Sequence, residues 1–307
     1  MRRKIYRLIY RMGLKKSFQQ VDRLRYLNRL LRARKNSLDR WDYSDRDLRQ
    51  YNGEEVLICS QFRGGHTFFY CDQRMKVERE IIREGFYGSY ILAYMEMLVR
   101  PGSIVIDVGA NIGAYAIPLA KAMGDVEVHA FEPNPSAVVR FRRNLSINEA
   151  KNVVLHERAV GAHPGRLDFH SFTGEDLGLS SFVAPPKEGS RRIPIQVVPL
   201  DEVYRSGERQ ISLIKIDVQG YENQVLEGAR NLVEKHKPYI LLEHEDHLFP
   251  QAAMAEEAKK KLQAFFLESG YLVFYLSQKD PFMLFPVLWH RPLSGNLLAL
   301  PGTSQDP

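Results

Sequence analysis

The sequence is poor in cysteine and has no long apolar run. Two cysteines among 307 residues are too few for a disulfide framework, and they suit a reducing cytoplasm. The longest apolar runs, among them YILL and YLVFYL, are far shorter than the roughly 20 residues that a membrane-spanning helix needs. The basic start, MRRKIYRLIYRMGLKK, lacks the apolar core of a signal peptide. We therefore expect a cytoplasmic protein, and an apolar content of 44% allows a sizeable core.

The positive charge is concentrated at the start of the chain. Residues 1–50 contain 16 Lys and Arg against 5 Asp, whereas the remainder contains 27 basic and 32 acidic residues. Apolar residues recur at helical spacing among these arginines, so we predict a basic helical extension over 1–50. Three uses remain open for residues 1–35: peripheral binding to an anionic membrane at its inner face, docking on the main domain or on a second subunit of a homodimer, and binding of nucleic acid.

The rest of the chain divides into a lead-in and a larger domain. Residues 51–100 predict a β-hairpin that turns at Gly64–Gly65, followed by a helix over about 77–98. Over 101–301 short apolar strands alternate with helical patterns, which predicts a parallel sheet with helices on both faces. The strands are predicted at 104–108, 126–131, 153–156, 211–216, 239–243 and 271–276, the helices at about 112–123, 135–147, 221–234 and 253–268, and an insertion at 162–210.

The stretch IVIDVGANIGAY ends a buried-looking strand in a carboxylate and a glycine loop. Gly109 and Gly113 permit a sharp turn and close approach of a ligand, and Glu132, about 20 residues later, can accept hydrogen bonds from both hydroxyls of a ribose. A dinucleotide site needs glycine where this chain has Asn111, and Asp107 would put a carboxylate near the pyrophosphate. S-adenosylmethionine has an ammonium group instead, so the loop favours it over a dinucleotide or a purely structural turn.

A second constellation lies in LIKIDVQGYENQVLEGA, residues 213–229. Asp217, at the carboxyl end of a strand, can orient or deprotonate a substrate hydroxyl; alternatively it caps the next helix, with Lys215 as a surface ion-pair partner. The end of the next strand, YILLEHEDH, adds Glu243, His244, Glu245 and His247 as possible metal ligands. Because nothing in the sequence fixes their geometry, we expect a polar pocket rim there and no metal.

The segment from about Arg100 to Glu245 resembles the FkbM family of S-adenosylmethionine-dependent methyltransferases. The motifs IDVGANIGAY, FEPNP, ERAVG, VPLDEV, KIDVQGYE and ILLEHE occur in the family's order. The resemblance implies a class I methyltransferase (Rossmann-like) α/β fold with a doubly wound, mostly parallel seven-stranded sheet. In this fold the last strand is antiparallel, and NLLALP at 296–301 could supply it. It also implies O-methylation of a hydroxyl on a sugar, glycan or other small-molecule natural product.

The resemblance also implies site residues. The cofactor-binding positions are Asp107, Gly109, Asn111, Gly113, Glu132, Asn134, Arg158 and Ala159. Asp217 and Glu222 are favoured for catalytic roles, and Lys215 and Glu243 join them as candidates. Gln219 stands where the family more often has Glu, so any role of that acid as base or metal ligand is lost here.

Two other functions stay open. An RNA methyltransferase would use the arginine-rich start, but that charge lies outside the predicted domain and no Asn/Asp-Pro-Pro-aromatic box is present, so we do not expect nucleic acid as a partner. A cofactor-binding protein without turnover is the other, and Gln219 is its only argument. The insertion at 162–210 and the loop at 244–250 are expected to shape the acceptor pocket.

Overall fold

The computed structural model describes residues 49–51, 55–62, 65–172, 180, 182, 190–205, 209–276 and 284–302. Its strands are β1 (Arg49–Tyr51), β2 (Glu55–Phe62), β3 (Gly65–Asp72), β4 (Ile104–Val108), β5 (Glu127–Phe131), β6 (Val153–His156), β7 (Ala159–Val160), β8 (Gly165–Phe172), β9 (Ser190–Val198), β10 (Ile211–Ile216), β11 (Tyr239–Glu245), β12 (Tyr271–Leu276), β13 (Leu284–Pro286) and β14 (Ser294–Pro301). Its helices are α1 (Lys76–Glu84), α2 (Ser89–Leu98), α3 (Ala116–Ala122), α4 (Pro135–Asn148), α5 (Leu200–Val203), α6 (Glu222–Glu227), α7 (Arg230–His236) and α8 (Ala252–Glu268), with a 3-10 turn at Asp246–Leu248.

The predicted basic helical extension over 1–50 lies outside the described residues, apart from its last two. Those two, Arg49 and Gln50, belong to strand β1, which pairs antiparallel with β2. The extension as predicted therefore reaches too far, because its end is part of a sheet.

Eight of the described strands form one central sheet in the order β13-β12-β14-β11-β10-β4-β5-β6. Neighbours from β11 to β6 are parallel, and β14 is antiparallel to both β11 and β12. The fold is thus the doubly wound, mostly parallel α/β fold of class I methyltransferases. The sheet has one strand more than the seven expected, because the short β13 pairs with β12 at the edge.

Two apolar cores cover the two faces of this sheet. Alternate side chains of β4 point to opposite faces: Val105 belongs to the core beneath α2 and α3, whereas Ile106 belongs to the core beneath α6, α7 and α8. All five residues of β4 are buried, as is usual for a parallel strand with helices on both sides. Only the ends of such strands are left to bind a ligand.

The lead-in is a hairpin followed by two helices. Strands β2 and β3 pair antiparallel from Glu55 and Asp72 to Phe62 and Gly65, as predicted. The single helix expected over 77–98 is wrong, because the chain turns between α1 and α2. Gly85 and Gly88 there have φ angles of 85° and 50°, which a helix cannot contain.

Two other predicted helices differ in extent. The helix expected from residue 112 begins at Ala116, so Pro118 lies in the first turn, where no backbone N–H is needed for a helical hydrogen bond. The helix expected over 221–234 is divided into α6 and α7. The insertion at 162–210 contributes β8 and β9, which form a separate three-stranded sheet with β7.

Candidate active site

A cavity of about 490 Å³ lies at the carboxyl ends of β4, β5, β10 and β11. This is the end of a doubly wound sheet where ligands bind, and the volume is typical of a small-molecule site. Eight of the predicted site residues line it: Gly109, Asn111, Glu132, Arg158, Ala159, Lys215, Asp217 and Glu243.

The structure does not bring the other four predicted residues to the cavity wall. Asp107 is fully buried behind Lys215, and Asn134 caps α4 by accepting a hydrogen bond from the Ser136 N–H. Gly113 faces the core, where an added Cβ would lie 2.3 Å from the Phe141 ring. These positions give them structural roles.

Glu222 is the fourth residue, and it stabilises the loop after β10 from the side away from the cavity. Its Oε1 accepts the Gly220 N–H at 2.8 Å, and its Oε2 lies 3.6 Å from Nδ1 of the buried His244. Glu222 therefore fixes the turn that presents Gln219 to the cavity. The structure gives it no direct contact with a substrate in that cavity.

Gly109 joins the two strand-end loops that carry the site. Its φ is 81°, and an added Cβ would lie 1.8 Å from the Asp217 carbonyl oxygen. The Asp217 N–H in turn donates to the Val108 carbonyl at 3.0 Å. The absent side chain thus makes room for the neighbouring backbone, where the sequence had suggested room for a ligand.

Glu132 braces the glycine loop and also faces the cavity. Its two oxygens accept the backbone N–H groups of Asn111 and Asn134, each at 2.8 Å. Burial raises the pKa of Glu132 to about 7, against the effect of these two hydrogen bonds. Each carboxylate oxygen can accept a further bond, and Asn111 Oδ1 is buried without a hydrogen-bond partner among the described residues. These unused acceptors fit the hydroxyl groups of a ribose.

Lys215 is the centre of a buried charge cluster. Its Nζ lies 3.3 Å from Asp107 Oδ1, 3.6 Å from Asp217 Oδ2 and 4.8 Å from the centre of the Tyr115 ring. Burial alone would lower the pKa of Lys215, but the carboxylates of Asp107 and Asp217 outweigh it and the pKa is raised. The surface ion pair considered as an alternative is ruled out, since Lys215 is only 5% exposed.

Asp217 and Glu243 form a carboxyl pair on adjacent strands. The parallel register matches Ile216 with Leu242, so the next position on each strand brings the two acids together. The negative charge of Asp217, and then burial, raise the pKa of Glu243 to about 9. Asp217 does not cap α6, whose first turn has no side-chain cap. Gln219 donates from Nε2 to Asp217 Oδ1 at 3.1 Å.

Several cavity residues were not among the predicted site residues. Aromatic rings of Tyr87, Tyr115, Phe169, Phe182 and Tyr221 line the cavity, and Phe182 lies 4.9 Å from Tyr221 between ring centres. Phe169 and Phe182 come from the insertion at 162–210, which was expected to shape the acceptor pocket. Tyr115 and Tyr221 lie within the motifs IDVGANIGAY and KIDVQGYE, whereas no motif of the sequence contains Tyr87, Phe169 or Phe182.

The end of β11 completes the rim with Glu245, His247 and Leu248, from the loop expected to shape the pocket. His247 Nδ1 lies 3.1 Å from Glu245, whereas His244 is turned away and contacts Asp246. Among the described residues, no group of three or more His, Cys, Asp or Glu side chains could hold a metal ion. In the same part of the chain, no helix is both long and apolar enough to cross a membrane.

The chain is similar in sequence to known methyltransferases. Residues 107–273 match the family model described as "Methyltransferase FkbM domain". The chain is 27% identical over 186 residues to the 2-O-methyltransferase NoeI of Sinorhizobium fredii, covering 56% of this chain and 70% of that protein. It is 32% identical over 134 residues to the hexuronic acid methyltransferase AglP of Haloferax volcanii, covering 43% of this chain and 52% of that protein.

Among solved structures, the FkbM methyltransferase of Methylobacillus flagellatus aligns with a TM-score of 0.44 at 18% identity, over 70% of this chain and 48% of that one. The family model covers more than half of the present chain, and its span contains the cavity residues from Gly109 to Leu248. The chain therefore belongs to the FkbM methyltransferase family, and it is a methyltransferase whose cofactor is S-adenosylmethionine.

Proposed function

We propose that the protein methylates a hydroxyl oxygen of a sugar, glycan or related small-molecule natural product. The observation that carries this proposal is the pair of partly buried carboxyl groups, Asp217 and Glu243, in the same cavity as Glu132. A hydroxyl is a weak nucleophile until a base accepts its proton, and carboxylates are suitable bases. The printed names of two relatives, a 2-O-methyltransferase and a hexuronic acid methyltransferase, support an oxygen of a sugar-like molecule.

The residues of this chain divide into two groups around the cavity. Bound S-adenosylmethionine supplies an electrophilic methyl group next to a positively charged sulfur. Glu132 and Asn111 offer hydrogen-bond acceptors to its ribose, and the aromatic rings of Phe169 and Phe182 offer apolar surface. The carboxyl pair lies on the other side of the glycine loop, across from the acceptors of Glu132.

Asp217 is the residue that we propose to take the proton of the acceptor hydroxyl. Gln219 donates to its Oδ1, and Lys215 lies 3.6 Å from its Oδ2, so the plane of the carboxylate is fixed. Gln219 is a donor here, and the chain does not need an acid at that position for Asp217 to act as a base. This supports turnover over the alternative of a cofactor-binding protein that has lost its activity.

The acceptor is proposed to be polyhydroxylic and uncharged near the reacting oxygen. The rim beside Asp217 carries the further acids Glu243 and Glu245, which would accept hydrogen bonds from neighbouring hydroxyls and repel a nearby carboxylate. A uronic acid can still bind if its carboxylate points away from this rim, towards Lys76 or Arg158.

The test is the Asp217→Asn variant with isotopically labelled cofactor and a panel of glycosides, uronic acids and hydroxylated natural products. The amide keeps the shape of the side chain but removes the base, so turnover should fall by about 10²–10⁴-fold. Cofactor affinity should change by less than about tenfold, because the ribose contacts remain.

Asp125→Asn is the matched control, since Asp125 is exposed at the opposite end of the sheet, just before β5. It should behave as the wild-type protein does. Turnover that survives unchanged in Asp217→Asn would contradict the proposed role of Asp217. Methyl transfer only to nitrogen or carbon acceptors would contradict O-methylation.

A further inference from the structure

The carboxyl groups around Lys215 exceed the positive charge that they contact. Asp107, Asp217 and Glu243 surround this lysine, which lies 3.3 Å from the first and 3.6 Å from the second. Asp107 is fully buried and already balances the lysine. Asp217, just after β10, and Glu243, on β11, are then two acids opposite each other, and Lys215 is the one lysine or arginine of the described residues that acts on Glu243. Two such carboxylates, both partly buried, are not readily ionised together because their like charges repel.

We propose that Asp217 and Glu243 share one proton in the free protein, and that binding of the positively charged S-adenosylmethionine expels this proton and makes the pair a base. The inference rests on the proposed function, because it assigns the second acid a part in the same reaction. It adds Glu243 as a catalytic residue, and it makes the charge of the cofactor the signal that prepares the site.

The surroundings of Glu243 support a shared proton. The titratable groups that face it are Lys215 on β10 and Asp217 just after it, Asp107 on β4, Tyr115 before α3, Glu245 on β11 and His247 in the following turn. Its partner on β14 is the uncharged Asn296. Acids thus outnumber bases around it, and the pKa of Glu243 is raised to about 9, first by the charge of Asp217 and then by burial.

The proton balance of a complete cycle is consistent with this proposal. On binding of the cofactor, the shared proton leaves for solvent. During transfer the O–H bond of the acceptor breaks, its proton goes to the carboxyl pair, and an oxygen electron pair forms the new O–CH₃ bond. The S–CH₃ bond breaks with its electrons to sulfur, and the neutral product S-adenosylhomocysteine leaves the pair protonated again. One proton is released for each methyl group transferred, as O-methylation requires.

The two forms of the cofactor should therefore respond differently to pH. S-adenosylhomocysteine lacks the sulfonium charge and has no reason to expel the proton. Because binding and proton release are linked, the Kd of S-adenosylmethionine should fall by about tenfold between pH 7 and pH 8. The Kd of S-adenosylhomocysteine should not show this tenfold decrease.

The experiment is titration calorimetry without acceptor, at pH 7, in two buffers that differ in ionisation enthalpy. With S-adenosylmethionine, wild-type protein should release about one proton more than Glu243→Gln, as expected for a group that titrates well above pH 7. Comparing proteins cancels any proton exchanged by the ligand's own amino group. With S-adenosylhomocysteine the two proteins should differ by about zero, and that binding also shows that the variant is folded.

Glu245→Gln is the matched control, because it makes the same Glu-to-Gln change two residues along the same strand and leaves both acids of the pair in place. It should release the wild-type number of protons. Asp217→Asn, which removes the other half of the pair, should lose the release and provides a second test if Glu243→Gln does not fold. Equal release by wild type and both pair variants, or loss of release in Glu245→Gln, would overturn the shared proton.

A different result would address the proposed function itself. If wild-type protein bound neither form of the cofactor, the proposed reaction would be contradicted and this inference with it. If it bound S-adenosylmethionine tightly without releasing a proton, the proposed reaction would stand and only the shared proton would be wrong.

Discussion

Glu132 has two roles, because its oxygens hold the glycine loop and also face the cavity. Replacing it with alanine removes a charge-assisted hydrogen bond to the ribose, which typically contributes about 1.5–3 kcal/mol. We expect Glu132→Ala to bind S-adenosylmethionine about 10–100-fold more weakly in calorimetry. S-adenosylhomocysteine should lose the same factor, since the ribose is common to both. Equal affinities in wild type and variant would mean that the ribose binds elsewhere.

The residues at strand ends show what the sequence could and could not predict about the site. Glu132, Lys215 and Asp217 were predictable, because a polar residue that ends a buried strand lies at the sheet edge where ligands bind. The sequence could not show that Asp107 and Glu222 lie behind the cavity wall, because it does not reveal which buried polar groups pair with one another. Asp107 is covered by Lys215, and Glu222 is held by the Gly220 N–H.

The loops after β4 and β10 pack directly against each other at Gly109. Gly109→Ala combines a strained positive φ with a Cβ placed 1.8 Å from the Asp217 carbonyl. Gly102→Ala is the matched control, because its φ of 71° is similar but no atom lies within 4 Å of the added Cβ. The control should lower stability by about 1 kcal/mol, or a few degrees in Tm.

Gly109→Ala should lower Tm further than this control and abolish binding of the cofactor, because the two loops must separate. Thermal unfolding and calorimetry of the two variants measure both effects. Similar melting temperatures with wild-type cofactor affinity in both variants would show that the two loops are not coupled in this way.

The elements themselves were largely predictable where strands are concerned. Six apolar runs predicted β4, β5, β6, β10, β11 and β12 within one or two residues, because a buried parallel strand is a short apolar run between breakers. Helix ends were less predictable. The break between α1 and α2 depends on positive φ at Gly85 and Gly88, and an isolated glycine in a helical pattern can equally remain helical.

At the scale of the whole molecule, stability should fall as the pH rises from 7 to 9. Burial raises the pKa values of Glu78 and Glu132 to about 7, and the charge of Asp217 together with burial raises that of Glu243 to about 9. Glutamate in an unfolded chain titrates near pH 4.3, so in this window the folded protein binds more protons. The free energy of unfolding therefore decreases as the pH rises. The stabilisation that these glutamates contribute is fully present only below their pKa in the unfolded chain.

Thermal unfolding without ligand, between pH 6.5 and 9, measures this decrease. Glu78→Gln should flatten it, because Glu78 lies outside the cavity in a buried contact with Arg140 at 2.8 Å. The lowered pKa of His156, about 4, contributes mainly below pH 7, because histidine in an unfolded chain titrates near pH 6.5. A melting temperature that rises from pH 7 to 9 would contradict the prediction.

The charge asymmetry of the whole chain leads to a further prediction for residues 1–35. They carry 13 Lys and Arg and one Asp, with apolar residues at helical spacing. We propose that they bind an anionic membrane surface, where each basic residue contributes about 1 kcal/mol. Full-length protein should sediment with phosphatidylglycerol vesicles at low salt, and less so at high salt. The chain without residues 1–35 should remain in the supernatant, as should full-length protein with uncharged vesicles.

Protein that stays in the supernatant at low salt would contradict membrane binding. A mass that falls from dimer to monomer on deletion of residues 1–35 would favour docking on a second subunit. Retention on RNA that weakens with salt would favour nucleic acid.

The position of β14 in the sheet has a consequence for how the protein is made. Among the described strands β14 comes last in the chain, yet it lies between β11 and β12 and is antiparallel to both. While residues 239–276 have left the ribosome and residues 294–301 have not, β11 and β12 both lack their neighbour β14, although β11 can already pair with β10. Both then expose a row of unpaired backbone groups of the kind that drives aggregation. We therefore expect the emerging chain to be most prone to aggregation after β12 has left the ribosome and before β14 has.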